Sequence, residues 1–187
     1  MHQHTSPEVP ISSLQAHFSE TIGAELKARI RELKLLVLDV DGTLTDGGIY
    51  LGPNGEEYKR FDVHDGHGIV MLQKLHNVEV MFLSGRSSAP VEQRARELGI
   101  KTCLQGHFDK NAILMREIET REVMGEHVAA MGDDLGDLAM MEVASLGFAP
   151  MNAIEEVKRR ADYITQKSGG NGAVREICDL IIWAKAT

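Results

Sequence analysis

The chain has 187 residues, enough for one folded domain with a substantial apolar core. A net charge of −8 without a basic stripe argues against a nucleic-acid or anionic-membrane partner, and two cysteines, Cys103 and Cys178, are too few for a disulfide framework. No apolar run approaches transmembrane length and Met1 to Pro7 lacks a charged-then-apolar leader, so the expected location is the cytoplasm.

Residues 1–11 read as a disordered tail in which His2 and His4 are solvated. From a cap at Ser12 or Ser13, the residues Leu14, Phe18, Ile22, Leu26, Ile30 and Leu33 form one apolar stripe, which predicts a single amphipathic helix. Residues 1–33 are therefore expected to be an N-terminal extension, and 34–187 a single domain. The apolar run Leu35 to Leu38 reads as a buried parallel strand, and it runs into Asp39-Val40-Asp41-Gly42-Thr43-Leu44-Thr45-Asp46-Gly47. Two carboxylates at the end of a buried strand repel each other unless a cation or a proton-sharing role compensates.

Alternating residues about Asn54-Gly55 predict a β-hairpin over about 48–62, and Asp62 to Gly68 reads as a polar, glycine-punctuated loop. A helix is expected over Ile69–His76, then a buried strand over Val78–Leu83 ending at Ser84-Gly85-Arg86. Pro90–Leu98 reads as a helix, Thr102–Leu104 as a short strand, and another helix starts near Lys110. Val128–Met131 is a further buried strand, ending at Gly132-Asp133-Asp134-Leu135-Gly136-Asp137. Ser168-Gly169-Gly170-Asn171-Gly172 reads as a flexible linker into a last helix, within a C-terminal tail over 165–187. Strands alternating with helices indicate an α/β fold with a doubly wound parallel sheet.

Parallel strands share one C-terminal edge, so Asp39 and Asp41, Ser84 and Asp133 can converge there with Lys110. Hard carboxylate oxygens suit Mg²⁺, while Lys110, the Ser84 hydroxyl and backbone N–H groups supply donors for a tetrahedral anion. A carboxylate can attack phosphorus, and a second one two residues on can move protons, so the set points to phosphoryl transfer.

These motifs, in this order, resemble the haloacid dehalogenase superfamily of phosphohydrolases, whose sheet is Rossmann-like. The resemblance implies that Asp39 is the nucleophile and Asp41 the general acid/base. It implies Mg²⁺ held by Asp39, Asp133 and the Asp41 backbone carbonyl, with Asp134 and Asp137 orienting waters and Lys110. Ser84, Gly85 and Lys110 would hold the phosphate. The gaps are short, 43 positions from Asp41 to Ser84 and 26 from Ser84 to Lys110, so neither holds a cap domain of about 50 residues and the enzyme is capless.

A closer likeness lies in Phe61-x-Val63-x-Asp65-Gly66-x-Gly68-Ile69, in Leu83-Ser84-Gly85-Arg86-Ser87-Ser88 and in Gly169-Gly170-x-Gly172-Ala173-Val174-Arg175-Glu176. It is similar to the capless subfamily of 3-deoxy-D-manno-octulosonate 8-phosphate phosphatases, which also contains 9-phosphate phosphatases of nine-carbon sialic acids. The likeness implies a sugar-acid phosphate substrate, a place in lipopolysaccharide precursor synthesis, and a homotetramer built by the hairpins. It also implies that the C-terminal segment reaches a neighbouring site, and that Lys59, Arg60, His64, Arg86 and Arg175 contact sugar carboxylate or phosphate. His64 stands where the octulosonate enzymes often carry Arg. The nine-carbon substrate is the alternative within the enzyme class, and a non-catalytic phosphatase-like partner module is the alternative outside it.

Overall fold

The computed structural model describes residues 11–187, so the expected tail lies almost wholly outside the described residues. In chain order the elements are α1 (Ile11–Phe18), α2 (Ala24–Arg31), β1 (Leu35–Leu38), β2 (Tyr50–Leu51), β3 (Glu57–Tyr58), α3 (Val63–His76), β4 (Glu79–Leu83) and α4 (Ala89–Glu97). They continue with β5 (Thr102–Leu104), α5 (Lys110–Arg121), β6 (Val128–Met131), α6 (Leu135–Val143), β7 (Leu146–Ala149), α7 (Glu155–Arg160), β8 (Tyr163–Ile164) and α8 (Ala173–Ala186).

Six strands form one parallel sheet in the order β5-β4-β1-β6-β7-β8. The chain winds outward from β1 through β4 to β5, then returns to β6 on the other side of β1. The order reverses at β1, which opens a crevice at the C-terminal ends of β4, β1 and β6. All four residues of β1 are buried, and they divide between two cores. Leu36 and Leu38 face the layer of α1, α2, α3, α4 and α8; Leu35 and Val37 face the layer of α5, α6 and α7. A strand covered on both faces needs the continuous apolar run seen in the sequence. β2 and β3 pair antiparallel through Tyr50 and Tyr58, and a Thr45–Phe61 bridge carries the hairpin back to the sheet edge.

Four expectations change. The stripe from Leu14 to Leu33 is not one helix: the Thr21 hydroxyl donates to backbone carbonyls of the preceding turn, and Gly23 is extended as the cap of α2. Phe18, Ile22, Ile30 and Leu33 are nevertheless all buried, so the stripe survives the break.

Asp62 to Gly68 is not a loop but the cap and first turns of α3, with the Asp62 carboxylate accepting from His64 N–H at 2.6 Å. Gly68 faces α8, where a Cβ would lie 2.8 Å from Arg175 Cδ and 3.1 Å from Cys178 Cβ; the glycine permits close helix packing rather than a turn.

Ser168 to Gly172 is not a flexible linker. Gly169 and Gly170 are buried, and a Cβ on Gly169 would overlap the Gly42 carbonyl. Nor is 165–187 a tail. Thr165 and most of α8, including Ile181, Ile182 and Trp183, are buried, so this segment is part of the core.

Candidate active site

Asp39 continues β1 by donating its N–H to the Met131 carbonyl at 2.9 Å, which aims its side chain out of the sheet edge. The chain must then turn at once. Gly42 makes the turn with a left-handed φ of +98°, and a Cβ there would overlap the Asp133 carboxylate. Thr45 bolts the loop shut: its hydroxyl donates to the Val40 carbonyl and accepts from Gly42 and Gly47 N–H groups. Thr43 reaches across to β6 and donates to Asp133 Oδ1 at 2.9 Å.

From β4, Ser84 is held by its N–H on the Leu104 carbonyl, and its hydroxyl accepts from Arg86 N–H at 3.2 Å. From α5, the Lys110 ammonium lies 2.5 Å from Asp39 Oδ1 and 2.5 Å from Asp137 Oδ1. Asp137 is fully engaged, because its other oxygen accepts from Asp133 and Asp134 N–H groups. Asp134 caps α6 through Leu135 N–H. Asp137 is thus the acid that contacts Lys110, while Asp134 serves the helix start.

Carboxylate oxygens of Asp39, Asp133 and Asp137 lie within 4.8 Å of one another. One oxygen each of Asp39 and Asp133, and the Asp41 carbonyl, carry no hydrogen bond among the described residues. Three acidic side chains face one ammonium here, an excess of two negative charges. Burial, then the charge of Asp137, raises Asp39 well above the ordinary carboxylate range although Lys110 opposes the shift. The same two causes push Asp133 up to about 7. Burial pulls Lys110 down, but Asp39 and Asp137 outweigh it and the ammonium is raised. A small divalent cation with oxygen ligands is what this donor set lacks, so the residues present fit Mg²⁺.

The crevice holds a cavity of about 190 Å³ lined by Asp39, Asp41, Ser84, Gly85, Arg86 and Lys110, with Phe108, Asp134, Gly136 and Asp137. Lys59, from the hairpin, does not line this cavity but meets its edge through Asp41: its buried ammonium pairs with the Asp41 carboxylate and, at 2.9 Å, with Glu57. Arg86 is half-exposed and faces Glu57 at 3.5 Å.

Arg60, His64 and Arg175 are not brought to this cavity. The Arg60 guanidinium donates to the Gly170 carbonyl and Asn171 Oδ1, tying the hairpin to the glycine turn. His64 sits exposed on the first turn of α3, and Arg175 is held by Asp179 on α8 at 2.8 Å. Both line a separate cavity of about 390 Å³ beside Leu14 and Phe18. Sequence reasoning missed Thr43 as the partner of Asp133, Glu57 as the partner of Lys59, and the exposed Phe108. Thr43 was legible inside its motif; the other two had no local signal.

A parallel sheet whose strand ends gather this carboxylate–lysine cluster defines a phosphohydrolase of the haloacid dehalogenase type, and residues 104–177 match the family model described as haloacid dehalogenase-like hydrolase. The chain is 42% identical over 164 residues to 3-deoxy-D-manno-octulosonate 8-phosphate phosphatase KdsC of Escherichia coli, covering 88% of this chain and 87% of the relative. The crystal structure of the corresponding phosphatase from Moraxella catarrhalis, in complex with magnesium, phosphate and KDO, matches with a TM-score of 0.84. That pair is 41% identical, and the match covers 87% of this chain and 92% of the other. The cobalt-bound phosphatase of Haemophilus influenzae matches with a TM-score of 0.81 at 36% identity, covering 84% of this chain and 92% of the other. The chain thus belongs to the 3-deoxy-D-manno-octulosonate 8-phosphate phosphatase family of haloacid dehalogenase-like hydrolases.

Proposed function

We propose that this chain hydrolyses 3-deoxy-D-manno-octulosonate 8-phosphate to the free sugar acid and phosphate, supplying lipopolysaccharide synthesis in the cytoplasm. The observation that carries the chemistry is the buried Asp39–Lys110–Asp137 network beside Asp133 at the mouth of the sheet. The sugar identity rests on the relatives, which are named for that substrate.

Asp39, Asp133 and the Asp41 carbonyl would hold Mg²⁺, which when bound supplies the positive charge that offsets the excess carboxylates and the phosphate. Asp39 then attacks through the oxygen beside Lys110, leaving its other oxygen for the cation. Its carboxylate oxygen bonds to phosphorus, the bond from phosphorus to the sugar oxygen breaks, and Asp41 gives that oxygen a proton. In the second half Asp41 takes a proton from water. The water oxygen bonds to phosphorus, the bond to Asp39 breaks, and phosphate leaves. Lys110 stays between Asp39 and the phosphate oxygens throughout, with Ser84 and Gly85 as further donors. Lys59 fixes the Asp41 carboxylate, and Arg86 is the basic group positioned for the sugar carboxylate.

We take 34–187 as the phosphatase domain, with the helices of the extension packed on α8. The assembly proposed is a homotetramer formed through the hairpin, whose Ile49, Leu51 and Tyr58 are 57, 69 and 58% exposed; apolar groups in this density on one short hairpin favour a protein contact. No helix among the described residues is long and apolar enough to cross a membrane.

The test is phosphate release from 3-deoxy-D-manno-octulosonate 8-phosphate and from a nine-carbon sugar-acid 9-phosphate. The expected result is a higher kcat/KM for the former, abolished by chelator and by Asp39→Asn. Preference for the nine-carbon ester would overturn the substrate, and no turnover of either would overturn the enzyme reading. Sedimentation of the wild type and of Leu51→Glu tests the tetramer; a monomeric wild type refutes it.

A further inference from the structure

The connection from β7 to α7, Pro150 to Ile154, contains none of the four catalytic motifs, yet three parts of the site meet on it. Asn152 Nδ2 donates to the Gly42 carbonyl at 2.9 Å, and Asn152 Oδ1 accepts from Gly169 N–H at 2.6 Å. On either side, Met151 N–H donates to the Lys167 carbonyl and Ile154 N–H donates to the Asp133 carbonyl, each at 3.0 Å. The loop of Asp39 and Asp41, the loop of Asp133 and the glycine turn are thereby joined through five residues.

The Gly42 peptide needs such a brace. Its backbone is left-handed, outside helix and strand, and the Asn152 amide is the hydrogen-bond donor to its carbonyl among the described residues. Rotation about the Gly42 peptide would carry Thr43 with it. Thr43 is the residue whose hydroxyl holds Asp133 Oδ1 at 2.9 Å. On the other side of Gly42 lies Asp41, whose carbonyl is one of the three oxygens that fit the cation. One side-chain amide therefore fixes the joint between two of those oxygens. Gly169 completes the brace from behind, since it approaches the Gly42 carbonyl too closely for any side chain.

We propose that Asn152 is a positioning residue for the cation site: its amide clamps the Gly42 peptide to the glycine turn and so sets the separation of the Asp41 carbonyl from the Asp133 carboxylate. The inference rests on the reading of the site as a Mg²⁺-dependent phosphatase. Asn152 itself is exposed and does not line the active-site cavity, so its loss acts on the geometry of others.

The experiment is titration calorimetry of Mg²⁺ into metal-free wild type, Asn152→Ala and Asn152→Ser, with melting curves and steady-state kinetics of each. Residues supporting metal ligands are generally worth about 10- to 100-fold in affinity, and a Mg²⁺ Kd weakened by that factor is the expected result. The melting temperature of the metal-free protein should fall only slightly, and KM for the sugar phosphate at saturating Mg²⁺ should stay near the wild-type value. A purely structural role would lower the melting temperature and leave the Mg²⁺ Kd alone. A Kd within about twofold of wild type in a folded variant overturns the proposal, a change far below the supporting effect expected. Should Asn152→Ala fail to fold, Asn152→Ser decides it, because serine retains a hydroxyl for the Gly169 contact. A wild type that turns over ester without Mg²⁺ overturns the underlying reading instead, and this is seen before any substitution is made.

Discussion

Replacing Lys110 by methionine keeps the length and apolar stem of the side chain and deletes only the charge. The ammonium lies 2.5 Å from a carboxylate oxygen of Asp39 and of Asp137, and the three side chains are 6, 8 and 4% exposed. Removing one partner of a buried ion pair costs about 3–5 kcal/mol because the other charge is left uncompensated. Here two charges are stranded, which places the metal-free variant at the upper part of that range at pH 8. With a urea m-value of about 2 kcal/mol/M, the unfolding midpoint falls by roughly 2 M. The sign of the pH effect follows from Asp39. Burial and Asp137 already raise it, and Lys110 is the main opposing influence. Without the lysine its proton is bound still more tightly in the folded state, so lowering the pH restores stability to the variant. The gap from wild type should therefore be wide at pH 8 and narrow at pH 5, read by urea unfolding in chelator. Loss of a donor to the transferring group should lower kcat about 100- to 1,000-fold. Equal midpoints at pH 8, or kcat within tenfold of wild type, would refute the reasoning for stability and catalysis respectively.

The metal-free wild type should lose stability as pH rises from about 4 to about 7. Asp133 is pushed up to about 7 and Asp65 to about 6, each mainly by burial, so the folded chain holds protons that the unfolded chain, titrating near 3.8, has released. Melting curves in chelator at pH 5 and 8 check this, and a higher melting temperature at pH 8 contradicts it. Mg²⁺ at 100 times its Kd should add about 2.7 kcal/mol at pH 8, and no shift on adding Mg²⁺ counts against the cation site. Lys59→Met frees Asp41 from its ion pair and should cut kcat by about tenfold or more, part of what positioned acid–base catalysis contributes, with the Mg²⁺ Kd unchanged; an unaltered kcat removes Lys59 from the site. Trp183 is 3% exposed in α8, so Trp183→Ala should cost about 3–5 kcal/mol, and truncation before Ser168 should yield no cooperative melt by circular dichroism. A truncated chain that still folds would restore the view of this segment as a tail.

The strand ends were legible because a strand buried on both faces must be apolar throughout, and the polar residues that interrupt such runs mark the ligand edge of a parallel sheet. Leu35–Leu38, Thr102–Leu104 and Val128–Met131 have the predicted bounds, and Asp39, Ser84, Lys110 and Asp133 converge as their positions require. The glycines misled for a physical reason. In sequence a glycine signals a turn or a close approach alike, and only the partner tells them apart. At Gly42 it is a turn; at Gly68 the partner is α8, and at Gly169 it is the carbonyl of Gly42 itself. The basic residues misled similarly. Lys59, Arg60 and Arg175 had equal claims on an anionic substrate, yet Asp41 captures one, the glycine turn another, and Asp179 the third. Asn152 carries no local pattern at all, because its role exists only where β1 and β6 bring their loops together. The sequence alone thus determined the sheet edge and the charges set on it, since both follow from local periodicity and residue chemistry. Which charges meet, and what braces the loops that bear them, were decided by tertiary structure, because such partners can lie far apart along the chain, 71 positions for Lys110 and Asp39 and 110 for Asn152 and Gly42.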